Sequence, residues 1–211
     1  MKSIISVEPP NLGWLEVLLD DSEMLFLWRC IENQGQSVKK DLSGILSKSN
    51  TLVDKDDWLF TKTLLPLCDV YSKSFKNLGN DIPINKTSPY YLSNMWVNYQ
   101  KQHEFNPDHI HDGVYSFVIW MQIPTKHSEQ NKLDFAISSD MKQVSSFQFK
   151  YSNILGNHQE HIYEMNPNIA GTMLFFPSKL THSVNPFYQC NLDRISISGN
   201  ISLNVLKGGA V

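Results

Sequence analysis

The spacing of apolar and polar residues divides the chain into two parts. After a short extended start at residues 13–19, apolar residues from about 21 to 80 recur at intervals typical of amphipathic helices. Three helices are predicted. The first has its N-cap at Asp21 or Ser22, the second covers residues 38–47, and the third begins near Asp56-Asp57. Pro66 lies inside the third helix, and we expect it to kink or divide that helix.

From about residue 89 the pattern changes to short strands, and the last of them alternates between apolar and polar residues most clearly. Turn-forming sequences rich in Asn, Pro, Asp and Gly separate the strands. The predicted strands cover residues 90–99, 114–123, 132–137, 159–163, 172–176 and 194–205. The segments 125–131 and 140–159 are predicted loops near the mouth of the fold. Many short strands without helices between them indicate a β-sandwich, barrel or jelly roll.

The last predicted strand has two chemically different faces. Its apolar positions are Ile195, Ile197, Ile201, Leu203 and Val205, and its polar positions are Ser196, Ser198, Asn200, Ser202 and Asn204. We expect the apolar face to pack under the N-terminal helices. The polar face begins with Arg194 and is expected to line a wet cavity, a feature typical of a ligand site.

Length and charge narrow the class of protein. The chain has 211 residues, of which 41% are hydrophobic. This suits a single domain over residues 1–211, with a mostly helical support at about 1–85 and a β core at about 86–207. The formal net charge of −3 provides no basic field that would attract nucleic acid or an anionic membrane.

Cysteine usage and the N-terminus indicate the compartment. The three cysteines lie far apart and no Cys-x-x-Cys occurs, so the sequence predicts neither a disulfide framework nor a zinc ribbon. The first ten residues lack the apolar region of a signal peptide, and no apolar run is long enough to span a membrane. We therefore expect a cytoplasmic protein.

Two histidines separated by one residue form the strongest candidate metal site. His109 and His111 would point to the same side of an extended chain and could hold one ion together. A third histidine, His182, follows an apolar run that a turn would return across the fold. Such a set leaves adjacent coordination positions open for substrate, cosubstrate and dioxygen, and imidazole suits iron well. Asp112 is a further candidate ligand, because an acidic residue usually completes such sites.

Arg194 is one of only two arginines among the eighteen Lys and Arg residues. Its planar guanidinium matches a carboxylate through two parallel hydrogen bonds, which Lys cannot reproduce. Ser196 lies on the same strand face and can add a hydroxyl donor. A dicarboxylate could therefore bind the metal at one end and Arg194 at the other. Each feature alone has a structural explanation, and their ordered combination points to a site.

Five short segments occur in a fixed order along the second half of the chain. They are Trp96-Val97-Asn98, His109-Ile110-His111, a run over residues 116–124 that ends in Pro124, Phe176-Pro177 followed by His182, and Arg194-Ile195-Ser196. Together they resemble the Fe(II)/2-oxoglutarate-dependent oxygenases, and most closely a family of small oxygenases found in phage and bacterial genomes. The resemblance covers about residues 89–204.

The resemblance implies both a fold and an activity. The fold would be mainly β, a double-stranded β-helix of the jelly-roll, cupin-like type with the N-terminal helices packed on one sheet. The activity would be that of an oxidoreductase, a dioxygenase that uses Fe(II) and the cosubstrate 2-oxoglutarate. It would hydroxylate a substrate and release succinate and carbon dioxide, in the host cytoplasm if a phage encodes it.

The same resemblance assigns roles to individual residues. His109 and His182 correspond to the first and the distal metal ligands of the superfamily. The implied cosubstrate-binding residues are Arg194, Ser196, Tyr99 and Asn98. Tyr99 is included because it stands ten residues before His109, the spacing of a carboxylate-binding tyrosine in prolyl-hydroxylase-like relatives.

The position two residues after His109 departs from the superfamily pattern. It is usually Asp or Glu, but here it is His111. The ligands could be His109, His111 and His182, or Asp112 could swing in. Alternatively, His111 is the first ligand, Gly113 takes the place of the acid, and water or an anion completes the shell. We favour the three histidines, because strand alternation aims His109 and His111 together and Asp112 to the opposite face unless a bulge intervenes.

Two other functions stay open at this stage. A cupin-like dioxygenase with three histidines would need no cosubstrate, although Arg194 would then have no evident role. A non-enzymatic binding or structural protein of a phage could have kept the barrel and lost the metal. The sequence does not identify the substrate, which could be a small molecule or a peptide, and it leaves a homodimer through the N-terminal helices open.

Overall fold

The structure, a computed structural model, describes residues 11–84, 86–207 and 209–210. The first ten residues, on which the signal-peptide prediction rests, lie outside the described residues. Within the described part, strands form two facing antiparallel sheets, and helices cover the outer side of the larger one. This arrangement confirms the predicted mainly β fold with N-terminal helices packed on one sheet.

The first helix, α1 (Asp21–Glu32), is confirmed, but its cap lies one residue earlier than predicted. Asp20 accepts the backbone N–H of Glu23 at 2.9 Å, and the Glu23 carboxylate accepts the N–H of Asp20 at 2.7 Å. This reciprocal capping box satisfies two backbone donors at the helix start. Asp21 and Ser22 therefore belong to the first turn of the helix and do not cap it.

The predicted second helix over residues 38–47 is wrong. The segment contains a 3₁₀ turn, Lys39–Asp41, and then runs irregularly to the strand β2 (Lys48–Thr51). Its start is held beside β2, because the N–H of Val38 donates to the carbonyl of Ser49 at 3.0 Å. Pairing with a strand therefore overrides the local helical spacing.

The third predicted helix starts later than expected. Asp56 and Asp57 lie in a 3₁₀ turn with positive φ values of 61° and 52°. The carboxylate that caps the helix belongs to Asp54, which accepts the backbone N–H groups of Leu59 and Phe60 at 2.9 and 2.8 Å. Negative charge still stabilises the helix start, but it comes from a residue further back.

Pro66 lies in this helix without dividing it. A π-helical turn, Phe60–Leu64, leads directly into α2 (Leu65–Ser74). In a regular α-helix the Pro66 ring would clash with the carbonyl four residues earlier, and the wider turn relieves that conflict. A short helix, α3 (His127–Gln130), follows within the β core. None of the helices in the described part of the chain combines the length and apolar character of a transmembrane span.

Most of the remaining chain is made of strands. Their bounds are β1 Leu15–Leu18, β3 Lys86–Thr87, β4 Tyr90–Gln100, β5 Asn106–His109, β6 Tyr115–Gln122, β7 Ser146–Ser152, β8 His158–Glu164, β9 Thr172–Pro177, β10 Thr181–Val184, β11 Arg194–Leu203 and β12 Gly209–Ala210. The major sheet has the order β1-β9-β6-β11-β4-β2, and the minor sheet has the order β5-β10-β7-β8. A small third sheet pairs β12 with β3.

Three assignments between residues 124 and 159 are wrong, and the first concerns residues 125–131, which are predicted as a loop but contain α3. Residues 132–137, predicted as a strand, form consecutive turns after α3, where Phe135 remains 61% exposed. Residues 140–159, predicted as a loop, contain all of β7. Phe147 and Phe149 of β7 are fully buried on one face, a period-two signal that the loop assignment overlooked. The other five predicted strands are confirmed.

The two-faced character of β11 is also confirmed. Ile195, Ile197 and Ile201 pack into a core shared with Leu27 of α1 and Leu59 of the helical segment. A second core lies between the two sheets and contains Val118, Trp120, Ile123, Phe147, Phe149, Met165, Leu174 and Phe176. β11 therefore separates a helix-facing core from the space between the sheets.

Leu27→Ala tests whether the helices and the β core unfold as one domain. Leu27 is fully buried in the core that joins them, so its truncation should lower the free energy of unfolding by about 2–5 kcal/mol. Urea unfolding followed by circular dichroism and by tryptophan fluorescence should give one shared transition. Leu25→Ala, at a 53% exposed position of α1, is the control and should change little. Two separate transitions would contradict a single domain.

Candidate active site

An open cavity of about 270 Å³ lies between the two sheets. Ser196, Ser198 and Asn200 line it from β11, so the polar face of this strand borders a cavity as expected. The minor sheet contributes Phe147 and Val184 on the opposite side. The cavity therefore lies where the two halves of the β core face each other.

Three histidines converge at this cavity. His109 ends β5, His111 follows two residues later, and His182 of β10 lies directly opposite His109 in the strand register. The ring centroids are 5.2 Å apart for His109 and His111, 4.2 Å for His109 and His182, and 4.8 Å for His111 and His182. One nitrogen from each ring lies within 4.8 Å of the others, so the three could bind one ion.

Backbone hydrogen bonds set the tautomer of two of these rings. Nδ1 of His109 donates to the carbonyl of Pro107 at 2.7 Å, and Nδ1 of His182 donates to the carbonyl of Leu180 at 2.9 Å. A carbonyl oxygen can only accept, so Nδ1 carries the proton and Nε2 keeps its lone pair. Such outer contacts orient an imidazole for metal binding.

Side chains hold the third ring. Nδ1 of His111 lies 3.0 Å from Oγ of Ser116 and 3.0 Å from Oδ1 of Asn200. The hydroxyl of Ser116 also donates to Oδ1 of Asn200 at 2.6 Å. All three rings therefore use Nδ1 for contacts with the protein and leave Nε2 for an ion.

Burial keeps the three imidazoles neutral. It lowers the pKa of His109, lowers the pKa of His111 to about 4, and lowers the pKa of His182 well below its usual range. His182 is only 4% exposed, and electrostatic interaction with His109 adds to the burial effect at His111 and His182. A neutral imidazole offers a lone pair to a metal, so the cluster can bind a cation near neutral pH.

The structure does not bring Asp112 into the cluster. Its side chain is fully exposed, and its carboxylate lies 3.8 Å from Nζ of Lys179. Gly113 has a φ of +91°, and a side chain at this position would collide with the backbone oxygen of Ile201. Both features favour glycine here. Within the described residues the metal-binding cluster consists of histidines alone. Three neutral nitrogen donors with open positions beside them fit iron(II), for which imidazole is a suitable ligand.

Arg194 is a buried cation next to the cavity-lining part of β11. It is 2% exposed, and Nη1 donates to Oε1 of Gln100 and to the carbonyl of Asn185, both at 3.2 Å. Nη2 donates to Oγ of Ser145 at 2.7 Å. Nε is buried without a partner, and no ion pair involves Arg194 in the described part of the chain.

This environment corrects the expectation that Arg194 faces a wet cavity. The guanidinium is enclosed, and burial lowers its pKa to about 9, which still leaves it cationic at neutral pH. A buried charge is costly without an anion or a full set of hydrogen bonds. The unused Nε donor therefore fits a carboxylate supplied by a ligand, as 2-oxoglutarate would supply.

The other predicted cosubstrate-binding residues lie on two different faces. Ser196 and Asn98 line the cavity, and Oδ1 of Asn98 accepts a hydrogen bond from Ser49 at 2.8 Å. Tyr99 packs against the helix-side core, and its hydroxyl accepts a hydrogen bond from Gln34 at 2.9 Å. Spacing from His109 does not determine the strand face, and alternation along β4 turns Asn98, not Tyr99, toward the cavity.

Part of the cavity wall has no signature in the sequence. The segment 38–44 lines it through Val38, Asp41, Leu42, Ser43 and Gly44. This segment carried no motif, because its role depends on contact with strands much later in the chain. By contrast, the alternation of β11 places Ser198 and Asn200 on its polar face, and both line the cavity.

Comparison with known families identifies the class of protein. A sequence model described as “Putative 2OG-Fe(II) oxygenase” matches residues 94–200, just over half of the chain. The matched region contains the three clustered histidines and Arg194. The chain belongs to this family of 2OG-Fe(II) oxygenases, and it is an oxidoreductase whose cofactors are Fe(II) and 2-oxoglutarate. No curated protein sequence matches the chain.

Solved structures with similar folds support the architecture. A prolyl-4-hydroxylase from Pseudomonas putida has a TM-score of 0.50 at 11% identity, over 90% of this chain and 92% of that protein. A prolyl hydroxylase from Trichoplax adhaerens, in complex with a hypoxia-inducible-factor peptide, has a TM-score of 0.50 at 12% identity, over 90% and 83%. These likenesses confirm the double-stranded β-helix fold.

Tyr99→Phe tests the position of this residue away from the cavity. The change removes a hydroxyl that bonds Gln34 on the helix side. We expect the affinity for 2-oxoglutarate to stay unchanged in calorimetric titration, and the free energy of unfolding to fall by about 0.5–1.5 kcal/mol. A loss of 2-oxoglutarate affinity at unchanged stability would show that Tyr99 contacts the cosubstrate.

Proposed function

We propose that this chain is a dioxygenase that binds Fe(II) through His109, His111 and His182 and anchors 2-oxoglutarate through Arg194. The convergence of three imidazoles with free Nε2 atoms at one cavity is the observation that carries the proposal. We infer that the reaction is hydroxylation of a substrate with release of succinate and carbon dioxide, the reaction type that family membership favours.

The residues of the site would bind and orient the cofactors and shield them from water. Bound Fe(II) would supply the activation of dioxygen and the oxidation of 2-oxoglutarate, and the protein would supply the binding site around it. The three histidines would hold the ion at the cavity that they line. Phe147 and Phe176 pack around His182, with ring centroids 5.7 and 5.0 Å away, and exclude water from that side.

Arg194 favours a 2-oxoglutarate enzyme over a three-histidine dioxygenase without a cosubstrate. The latter needs no dicarboxylate and gives no reason to bury an unpaired guanidinium. Here the free Nε of Arg194, two residues before the cavity-lining Ser196 on the same strand, would bind the far carboxylate of 2-oxoglutarate. The ring of Phe187, 4.8 Å from the guanidinium carbon, supports the cation in its buried position.

We propose a small molecule or a peptide as the substrate. The outer wall of the cavity, built by residues 38–44 together with Asn94 and Ile110, would contact it. A cavity of about 270 Å³ can hold a group the size of a side chain beside the metal position. The free cysteines Cys30, Cys68 and Cys190 are consistent with a reducing cytoplasm, that of the host if a phage carries the gene.

Anaerobic titration with Fe(II) and 2-oxoglutarate tests the cofactor assignment. We expect a visible metal-to-ligand charge-transfer band that saturates at one Fe(II) per chain, because 2-oxoglutarate would chelate the ion held by the three histidines. On admission of air, the protein should convert 2-oxoglutarate to succinate. Absence of both signals from the metal-loaded protein would refute the assignment, and substrate turnover without 2-oxoglutarate would favour the cupin-like alternative.

His182→Ala should abolish the band, because it removes a ligand that no nearby side chain replaces among the described residues. Removal of an Fe(II) ligand should also lower the iron content of the purified protein. His158→Ala, at an exposed position of β8, is the matched control and should leave the iron content unchanged. Equal iron content in the two variants would contradict the ligand set.

Arg194→Lys separates cosubstrate binding from metal binding. Lysine keeps the charge but loses the planar fork, so at least one charge-assisted hydrogen bond worth about 1.5–3 kcal/mol disappears. The affinity for 2-oxoglutarate should fall about ten- to hundred-fold, whereas Fe(II) binding to the histidines should not change. Arg29→Lys, on the exposed side of α1, is the control. An unchanged 2-oxoglutarate affinity would remove Arg194 from the site.

A further inference from the structure

His111 is held in a different way from the other two clustered histidines. His109 and His182 donate to backbone carbonyls, which can only accept hydrogen bonds. Nδ1 of His111 instead meets two side chains, Ser116 and Asn200, each at 3.0 Å. The tautomer of His111 therefore depends on the orientation of groups that can either donate or accept.

The orientation of the Asn200 amide decides which ring nitrogen of His111 carries the proton. Its Oδ1 accepts from the Ser116 hydroxyl at 2.6 Å and faces Nδ1 of His111, so the ring must carry its proton on Nδ1. With the amide turned over, its NH₂ group would face Nδ1 and donate to it. The proton of His111 would then lie on Nε2, where it blocks metal binding.

The sheet register brings this pair together. Asn200 of β11 lies directly opposite Ser116 of β6, and both side chains point into the space between the sheets. The rings of Trp96 and Phe176 flank His111, with centroids 5.6 and 6.3 Å away. Hydrogen bonding to this ring, within the described residues, therefore comes from Ser116 and Asn200.

We propose that Asn200, oriented by Ser116, is a positioning residue that holds His111 in the tautomer whose Nε2 binds the metal. The inference rests on the proposed three-histidine site. It concerns His111, which stands at the position where the superfamily has Asp or Glu. A carboxylate has no tautomers of this kind and needs no such control. Replacing an acid by a histidine creates that need, and Asn200 meets it.

A purely structural Asn200 would behave differently. It would contribute to folding through its contacts with Ser116 and His111, and its loss would lower stability without a specific effect on metal binding. The two roles are therefore separated by measuring metal affinity and imidazole protonation beside stability.

Co(II) binding to the full-length apo protein is the test, because Co(II) reports its ligands without turnover. Asn200→Leu keeps the approximate size of the side chain and removes the acceptor. Ser93→Ala is the matched control, because it deletes a hydroxyl that donates at 2.9 Å to the backbone carbonyl of the same Asn200. Asn200→Asp retains an acceptor, and Ser116→Ala removes the group that orients the amide.

We expect the wild-type protein and Ser93→Ala to bind one Co(II) with the same affinity. Both should show three solvent-exchangeable, paramagnetically shifted proton signals, one from each Nδ1–H. Asn200→Leu should bind Co(II) about 10–100-fold more weakly and lose one of these signals. Asn200→Asp should bind at least as tightly as wild type, and Ser116→Ala should weaken binding less than Asn200→Leu.

The outcomes distinguish this inference from the site on which it rests. If wild type binds Co(II) with three signals and Asn200→Leu does the same at equal affinity, Asn200 has no positioning role and the metal site stands. If wild type binds no Co(II), the metal site itself fails and the role of Asn200 fails with it. If Asn200→Leu does not fold, tight binding by Ser116→Ala with an unaltered spectrum would still overturn the inference.

Discussion

The strand β11 imposes the constraint on which the rest of the structure depends. It is hydrogen-bonded to β4 on one side and β6 on the other, so it lies within the major sheet. Its odd-numbered isoleucines fill the core under the helices, and its even-numbered polar residues face the minor sheet. A one-residue slip would exchange the two faces, so burial of the isoleucines also fixes the positions of Arg194, Ser196, Ser198 and Asn200.

The site that results places groups inside the fold that cost stability. Arg194 is a buried cation with an unused donor, and the three histidines hold neutral nitrogen lone pairs close together. Both arrangements leave interactions unmade that a carboxylate and a cation would complete. Ligands that bind the folded state alone stabilise it by mass action. In the proposed site, cofactor binding and fold stability would therefore be coupled through the same few residues.

Strand periodicity explains which site residues could be predicted. His109 and His111 share a side because they are two residues apart, and the polar face of β11 led to Arg194 and Ser196 for the same reason. The spacing found in relatives points to Tyr99 but does not determine a strand face, and the structure turns Tyr99 toward the helices. β7 falls in a segment predicted as a loop, although its Phe147 and Phe149 alternate with polar residues as in a strand.

By itself the sequence determined the alternation of β11, the helical support around Leu27 and the types of side chain available for a metal and a dicarboxylate. These are local properties, set by a spacing of two or about four residues. Only the tertiary structure decided that His182 lies opposite His109, that Asn200 reaches His111, and that residues 38–44 form the outer wall. Such contacts join residues that are far apart in the chain, and strand pairing and burial determine them. Local spacing does not determine which distant residue becomes the partner.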